Sequence, residues 1–340
     1  MEVDDIKTSK VVLLSKRPKG LPDSSTFQLV ERDIPELKDG EVLIQSLYLS
    51  VDPYMRGRMS AAKSYAEPFQ VGEPLTGGIV GKVVKSKAAN LAEGDYVTAR
   101  LDWAEYNVVH ENKLRKINPE LAPITTALYV LGMPGLTAYF GLLDIGQPKK
   151  GETVVISGAA GAVGMIVGQI AKLKGCRVVG IAGSEEKIAY LKNKLGFDAV
   201  INYKTTENIS EELAAVCPDG IDVYYDNVGG TITDAVIFQM NFHARVVICG
   251  QIAHYNDTKM GMGPRFLPYV LTRSILIKGF IVGNYADRIE EGRKELAEWL
   301  KQGKITYEEN IVTGLENAPD AFLGLFRGDN LGKQLVRIEH

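Results

Sequence analysis

Thr153-Val154-Val155-Ile156-Ser157-Gly158-Ala159-Ala160-Gly161-Ala162-Val163-Gly164 decides the fold. An apolar run leads into three glycines. Val163, Ile166, Val167, Ile170 and Leu173 then form one apolar stripe at helical spacing, in a segment that ends at Gly175. The pattern is strand, glycine turn, helix. Glycines at 158, 161 and 164 let the backbone turn tightly and let a pyrophosphate approach the first amides of the helix, where unpaired N–H groups and the helix dipole favour negative charge. The spacing is G-x-x-G-x-x-G rather than G-x-G-x-x-G, and glycine also serves turns and close packing. Its position between a strand and a helix points to a dinucleotide.

Outward from this stretch, short apolar runs alternate with helical segments. The runs are Thr153–Ser157, Arg177–Ala182, Ala199–Asn202, Ile221–Asp226, Arg245–Gly250 and Ile275–Ile281. Six such runs make a doubly wound α/β Rossmann sheet with parallel strands. Ser184 is placed to cap the helix after the second run, and Gly196 to stop it. Residues 126–302 are therefore read as the nucleotide-binding domain. The first ~125 residues differ. Val11–Leu14, Val42–Leu49, Gly78–Val84, Tyr96–Ala99 and Tyr106–His110 are strand-like and separated by turn signals such as Lys38-Asp39-Gly40. The tail has strand candidates Ile305–Glu309 and Gln334–Ile338 around a helical stretch, Ala318–Phe326. Residues 1–125 and 303–340 are expected to form a second, mostly β domain.

The 340 residues carry a net charge of −3, with no basic arm or acidic tail, so nucleic acid is not an expected partner. The acidic start Met1–Asp5 is unlike a signal peptide, and no apolar run approaches the ~20 residues that span a bilayer. The expectation is a cytoplasmic protein without membrane contact. Cys176, Cys217 and Cys249 are isolated, without a C-x-x-C pair, and read as reduced structural cysteines. None of the four histidines has a ligand spacing, so no protein-bound metal is expected.

The second Rossmann strand runs into Ala182-Gly183-Ser184, with no carboxylate at its tip to hold the adenine ribose. A small uncharged tip with Lys187 nearby suits a 2′-phosphate, and so NADPH rather than NADH. Lys187 would pair with the phosphate and Ser184 would hydrogen-bond it. Alternatively, Glu185-Glu186-Lys187 is a solvated first helical turn.

A β domain, a Rossmann domain and a returning tail resemble the medium-chain dehydrogenase/reductases, whose β domain is GroES-like. Gly72-Glu73-Pro74-Leu75-Thr76-Gly77-Gly78-Ile79-Val80-Gly81 sits where zinc alcohol dehydrogenases carry G-H-E-x-x-G. The histidine is absent, Asp52-Pro53-Tyr54 stands where a zinc-binding cysteine would be, and the four-cysteine lobe is missing. The resemblance is to the zinc-free branch. The stretches Asp52–Met59, Met133–Tyr139, Tyr225–Gly230, Cys249–Asn256 and Gly328–Val336 together resemble the leukotriene B4 dehydrogenase/prostaglandin reductase group, along essentially the whole chain. That resemblance implies a homodimeric, NADPH-dependent reductase of the carbon–carbon double bond of enals and enones.

It also implies roles. Gly158, Gly161 and Gly164 would line the pyrophosphate, and Lys187 and Tyr203 would hold the 2′-phosphate with Ser184. Asn227 and Asn330 would contact the cofactor, and Thr137 would lie near the nicotinamide. Backbone groups of Cys249, Phe280 and Val282 would orient the carboxamide. Tyr255 would face the substrate carbonyl and stabilise the enolate formed when hydride reaches the β-carbon; an isolated tyrosine can also simply cap a loop. The α-carbon proton could come from Tyr255 or from water. Tyr54 and Arg56 would touch substrate, or Arg56 would anchor a loop through a carboxylate. Met260–Pro264 would either close over substrate or connect two strands. Two other functions fit the same chain: a quinone reductase, against which Asp52–Met59 and Gly328–Val336 speak, and an idle NADPH-binding protein.

Overall fold

The computed structural model, which describes residues 6–340, divides into two units, one mostly of antiparallel strands and one in which strands alternate with helices. Met1–Asp5 lies outside the described residues. The first unit holds the chain up to Leu128, Glu309–Asn330 and Gln334–His340. The second holds Tyr129–Glu308 with Leu331–Lys333.

In the first unit β1 (Thr8–Leu14) pairs antiparallel with β2 (Phe27–Asp33). β3 (Glu41–Ser50), β4 (Thr76–Ser86), β5 (Tyr96–Asp102), β6 (Tyr106–His110) and β7 (Arg115–Ile117) form an antiparallel sheet. The short helix α1 (Met55–Arg58) interrupts it after β3.

The second unit begins with α2 (Met133–Phe140), which continues into a wider turn, Gly141–Gly146. Strand and helix then alternate: β8 (Thr153–Ile156), α3 (Ala162–Leu173), β9 (Arg177–Ala182), α4 (Glu185–Asn193), β10 (Ala199–Asn202), α5 (Ile209–Val216), β11 (Ile221–Asp226), α6 (Gly230–Ile237), β12 (Met240–Ile248), α7 (Leu267–Arg273), β13 (Leu276–Gly279) and α8 (Ile289–Lys301). The six strands are parallel in the order β10-β9-β8-β11-β12-β13, the doubly wound arrangement. Val154, Ile156, Val178 and Val223 enter a core with Met165 of α3 and Leu296 of α8. Val155, Val179 and Tyr224 enter another with Leu213 of α5 and Val236 of α6. Both faces of β8, β9 and β11 are covered, which is why these strands read as unbroken apolar runs.

The tail adds β14 (Glu309–Thr313), α9 (Ala318–Arg327) and β15 (Lys333–Arg337). The larger sheet of the first unit runs β14-β15-β3-β4-β5-β7, with β6 on β3. Its core gathers Leu14, Ile44, Ile79, Trp103, Phe322 and Val336.

Several sequence expectations need correction. Ile305–Glu309 is not a strand. Ile305 is fully buried and its N–H bonds the Trp299 carbonyl, so it closes the end of α8; the strand starts at Glu309. The fifth Rossmann strand begins earlier than Arg245, at Met240, and stops at Ile248. The sixth ends at Gly279, where its pairing with β12 ends.

Candidate active site

The order of the strands reverses between β8 and β11, and ligands bind doubly wound sheets outside the strand ends at such a point. The loops after β8 and β11 meet there. Gly158 takes a left-handed backbone (φ 58°) that turns the chain away from β8. Gly161 is the N-cap of α3 and brings no capping side chain to the helix end. A Cβ on Gly164 would lie 2.4 Å from the Gly158 carbonyl oxygen, so only glycine lets α3 sit this close to the turn. The first amides of α3 therefore receive no side-chain cap, which suits a pyrophosphate. The Gly332 N–H bonds the Ala160 carbonyl at 2.8 Å and holds the turn from outside.

Asn227 follows β11. Its N–H donates to Ser157 Oγ (2.9 Å) and its amide nitrogen to the Ser157 carbonyl (2.8 Å), so its amide oxygen is left for a ligand. At the tips of β9 and β10, Gly183, Ser184, Lys187, Tyr203 and Lys204 come together. Ser184 caps α4 by accepting the Lys187 N–H at 3.3 Å. A Cβ on Gly183 would meet Tyr203 at 2.8 Å and Lys204 at 3.1 Å. The Lys204 ammonium lies 6.0 Å from the Tyr203 ring centre. Glu185 accepts a hydrogen bond from Asn202 (2.9 Å), which ties that carboxylate to β10. Two lysines, a hydroxyl and a phenol at one strand tip suit a phosphate. Lys204 escaped the sequence reading; the adjacency of β9 and β10 was the signal that could have found it.

At the ends of β11, β12 and β13 the other predicted residues of this unit gather. The Tyr225 hydroxyl donates to the Thr137 carbonyl at 2.8 Å. A Cβ on Gly141 would lie 2.5 Å from both Tyr225 Oη and the Phe280 ring. The N–H groups of Cys249 and Phe280 already bond the carbonyls of Asp226 (2.9 Å) and Ile248 (3.3 Å), which leaves their carbonyls for a ligand. Val282 opens the turn that follows and packs against the same core. Burial pushes the Cys249 thiol up to about 12, and Cys176 and Cys217 to about 11, so none is a ready thiolate.

Tyr255 ends a short helical turn, Ile252–His254, beyond β12. The turn is laced to the loop after β11: Ile252 N–H bonds the Asn227 carbonyl (3.4 Å) and Ala253 N–H the Val228 carbonyl (3.0 Å). The Tyr255 phenol oxygen accepts the Gln251 N–H at 3.2 Å, which leaves its own proton to donate elsewhere. Burial raises its pKa above the ordinary phenol value, although the Gln251 hydrogen bond pulls the other way.

Tyr54, Arg56 and Asn330 belong to the first unit. Tyr54 precedes α1, is half-buried, and is pushed up to about 12 by burial and by Asp52. The Arg56 side chain is almost wholly buried and donates through Nε (3.2 Å) and Nη2 (2.8 Å) to the Gly20 carbonyl. These bonds tie Arg56 to the Gly20 loop, as the anchoring alternative expects. Asn330 stands where the tail leaves this unit.

Two family models match the chain: the N-terminal domain of oxidoreductase over residues 10–117, and zinc-binding dehydrogenase over residues 162–302. Prostaglandin reductase 1 of Rattus norvegicus is 46% identical over 97% of this chain and 99% of its own length. The NADP(+)-dependent 2-alkenal reductase of Nicotiana tabacum is 41% identical over 97% and 98%. Among solved structures, CurA from Vibrio vulnificus in complex with NADPH superposes with a TM-score of 0.93 at 46% identity, covering 97% of this chain and 99% of that one. Although the second model names zinc, the donor set does not fit it. Among the described residues no three His, Cys, Asp or Glu side chains converge on a metal position, and the Asp52 carboxylate accepts the Ser50 hydroxyl at 2.6 Å.

Proposed function

The chain belongs to the medium-chain dehydrogenase/reductases, in the zinc-free group of the alkenal and prostaglandin reductases, and on that premise we propose that it reduces the α,β carbon–carbon double bond of enals and enones with NADPH. The observation that carries the reading is the pairing, within one unit, of a phosphate-type cradle at the β8, β9 and β10 tips with a phenol beyond β12 that accepts the Gln251 N–H and donates to none of the described residues. The relative named for 2-alkenals and the neighbour solved with NADPH support it.

NADPH, when bound, supplies a hydride. Gly158, Gly161 and Gly164 leave room for its pyrophosphate, while Ser184, Lys187, Tyr203 and Lys204 hold the 2′-phosphate. Asn227 offers an amide oxygen, and Thr137, Cys249, Phe280 and Val282 shape the end of the sheet where the reactive ring belongs. As the β-carbon of the enone gains hydride, negative charge grows on the carbonyl oxygen. Tyr255 donates a hydrogen bond to that oxygen, and the bond strengthens as the charge develops; such differential stabilisation lowers the barrier. With its pKa raised, the phenol stays protonated and acts as donor rather than as base. The α-carbon takes its proton from water or from Tyr255.

The exposed edge strand β13, with Leu276 half-exposed and Leu267 and Leu271 of α7 mostly exposed, supports a homodimer formed edge to edge with a second copy. Cysteines without a disulfide fit a reducing, cytoplasmic setting. Among the described residues no helix is long and apolar enough to cross a membrane.

The test is NADPH oxidation with trans-2-nonenal and with a quinone, products identified by mass spectrometry. Saturated nonanal is expected. Turnover of the quinone alone moves the function to quinone reduction, and NADPH binding without turnover of either moves it to an idle binding protein.

A further inference from the structure

Asp226, the last residue of β11, is fully buried, and among the described residues no ion pair reaches it. Six uncharged donors converge on its two carboxylate oxygens instead. Oδ1 accepts from the hydroxyls of Ser157 (2.9 Å) and Tyr224 (3.0 Å) and from the N–H groups of Val228 (3.0 Å) and Gly229 (2.9 Å). Oδ2 accepts from the Thr233 hydroxyl (2.8 Å) and the Gln251 amide nitrogen (2.8 Å). A buried carboxylate is costly unless its lone pairs are satisfied. Here they are, and only an acceptor-only side chain suits six donors. An asparagine would turn an N–H₂ group towards one set of them.

The last of those donors links Asp226 to the chemistry. One amide N–H of Gln251 goes to Asp226 and the other to the carbonyl of Gly250 (2.8 Å), which fixes the side chain. The backbone N–H of the same residue donates to Tyr255 Oη. Gly229 makes room for the arrangement: its backbone is left-handed (φ 75°), and a Cβ there would lie 2.2 Å from Gln251 Oε1. A hydrogen bond accepted by a phenol oxygen polarises its O–H and strengthens the bond that the O–H gives.

We propose that Asp226 and Gln251 are positioning residues: Asp226 holds Gln251, and Gln251 orients and polarises the Tyr255 hydroxyl towards the substrate carbonyl. This rests on Tyr255 being the donor proposed above. The carboxylate also explains how a residue deep in the sheet controls a hydroxyl beyond the end of a different strand.

The experiment is a double-mutant cycle on single-turnover NADPH oxidation with trans-2-nonenal. Gln251→Ala leaves Asp226 its other five donors and is not expected to unfold the protein; Asp226→Asn is the second arm. Melting temperature and NADPH affinity are measured on every variant. Gln251→Ala keeps the backbone N–H that bonds Tyr255 Oη but loses the side-chain anchor to Asp226 and Gly250 that orients it; it is expected to slow the single-turnover rate about 10-fold, with NADPH affinity within about twofold. In a Tyr255→Phe background the same substitution is expected to change the rate by less than about twofold. An equal 10-fold loss in both backgrounds overturns the proposal while leaving Tyr255 as donor. An unchanged rate in Tyr255→Phe alone overturns the proposal together with the reading it rests on. A loss confined to NADPH affinity assigns the pair to cofactor binding and overturns it as well.

Discussion

Replacing Lys187 by alanine tests the phosphate site at the β9 and β10 tips. At ~4 Å a unit charge pair is worth ~1 kcal/mol in water and ~4 kcal/mol in the intermediate dielectric of a protein surface. Lys187 is half-buried in the first turn of α4, so its contribution falls between these values. The lysine at 204 stays beside Tyr203 and continues to screen the phosphate. A loss of about 1.5–2.5 kcal/mol is expected, a rise of about 10- to 70-fold in KM for NADPH. NADH has no 2′-phosphate, so its KM should change less than about twofold. The assay is steady-state kinetics with each cofactor for the parent, Lys187→Ala, Lys204→Ala and the double variant. The double variant should lose most of the preference for NADPH. Salt should narrow the gap between parent and variant, because exposed charge pairs are screened within ~8 Å at physiological ionic strength. An equal rise in KM for both cofactors would refute the assignment and leave Lys187 as a solvated helix residue.

Three further predictions follow from single groups. Burial raises the Tyr255 phenol above its ordinary value of 10.0, so it stays neutral and the rate should be flat from about pH 6 to 9; a limb in that range that vanishes in Tyr255→Phe would contradict this. Burial raises the Asp198 carboxyl, but the N–H of Val178 (2.7 Å) and the ammonium of Lys172 (3.0 Å) outweigh it and hold the pKa below the usual carboxylate range. Its stabilisation is therefore present above the unfolded pKa and lost as pH falls through the folded one. Asp198→Asn should cost about 1 kcal/mol at pH 7 in urea unfolding, with the gap closing below about pH 4; a gap that widens on acidification would be the wrong sign. Gly164→Ala forces a methyl against the Gly158 carbonyl and should cost about 1–3 kcal/mol and raise the KM for NADPH; unchanged stability and KM would show that α3 moves freely.

The parallel strands β8 to β11 were legible because burial on both faces writes them as continuous apolar runs, such as Val178-Val179 and Ile181 of β9. β2 was not, since only Phe27 of its seven residues is buried and its far end is Glu31-Arg32-Asp33; pairing along the whole of β1 makes it a strand. β7 is only three residues long and is set by pairing with β5. The glycine turn could be read because each glycine has a local reason. Asp226 could not, because its donors come from positions 157, 224, 228, 229, 233 and 251, which only the folded sheet brings to one carboxylate. Arg56 was legible as an anchored or a substrate-facing group, and its bond to the Gly20 carbonyl, from a loop 36 residues earlier, appears only in the folded chain.

The most direct test of the central claim is to follow one hydrogen. With trans-2-nonenal and NADPH deuterated at the reactive position of the nicotinamide, the product should be nonanal carrying deuterium on the β-carbon. The same reaction in deuterated water should label the α-carbon instead. Deuterium at the carbonyl carbon of an allylic alcohol would mean carbonyl reduction, and would contradict the assignment of Tyr255 to an enolate oxygen.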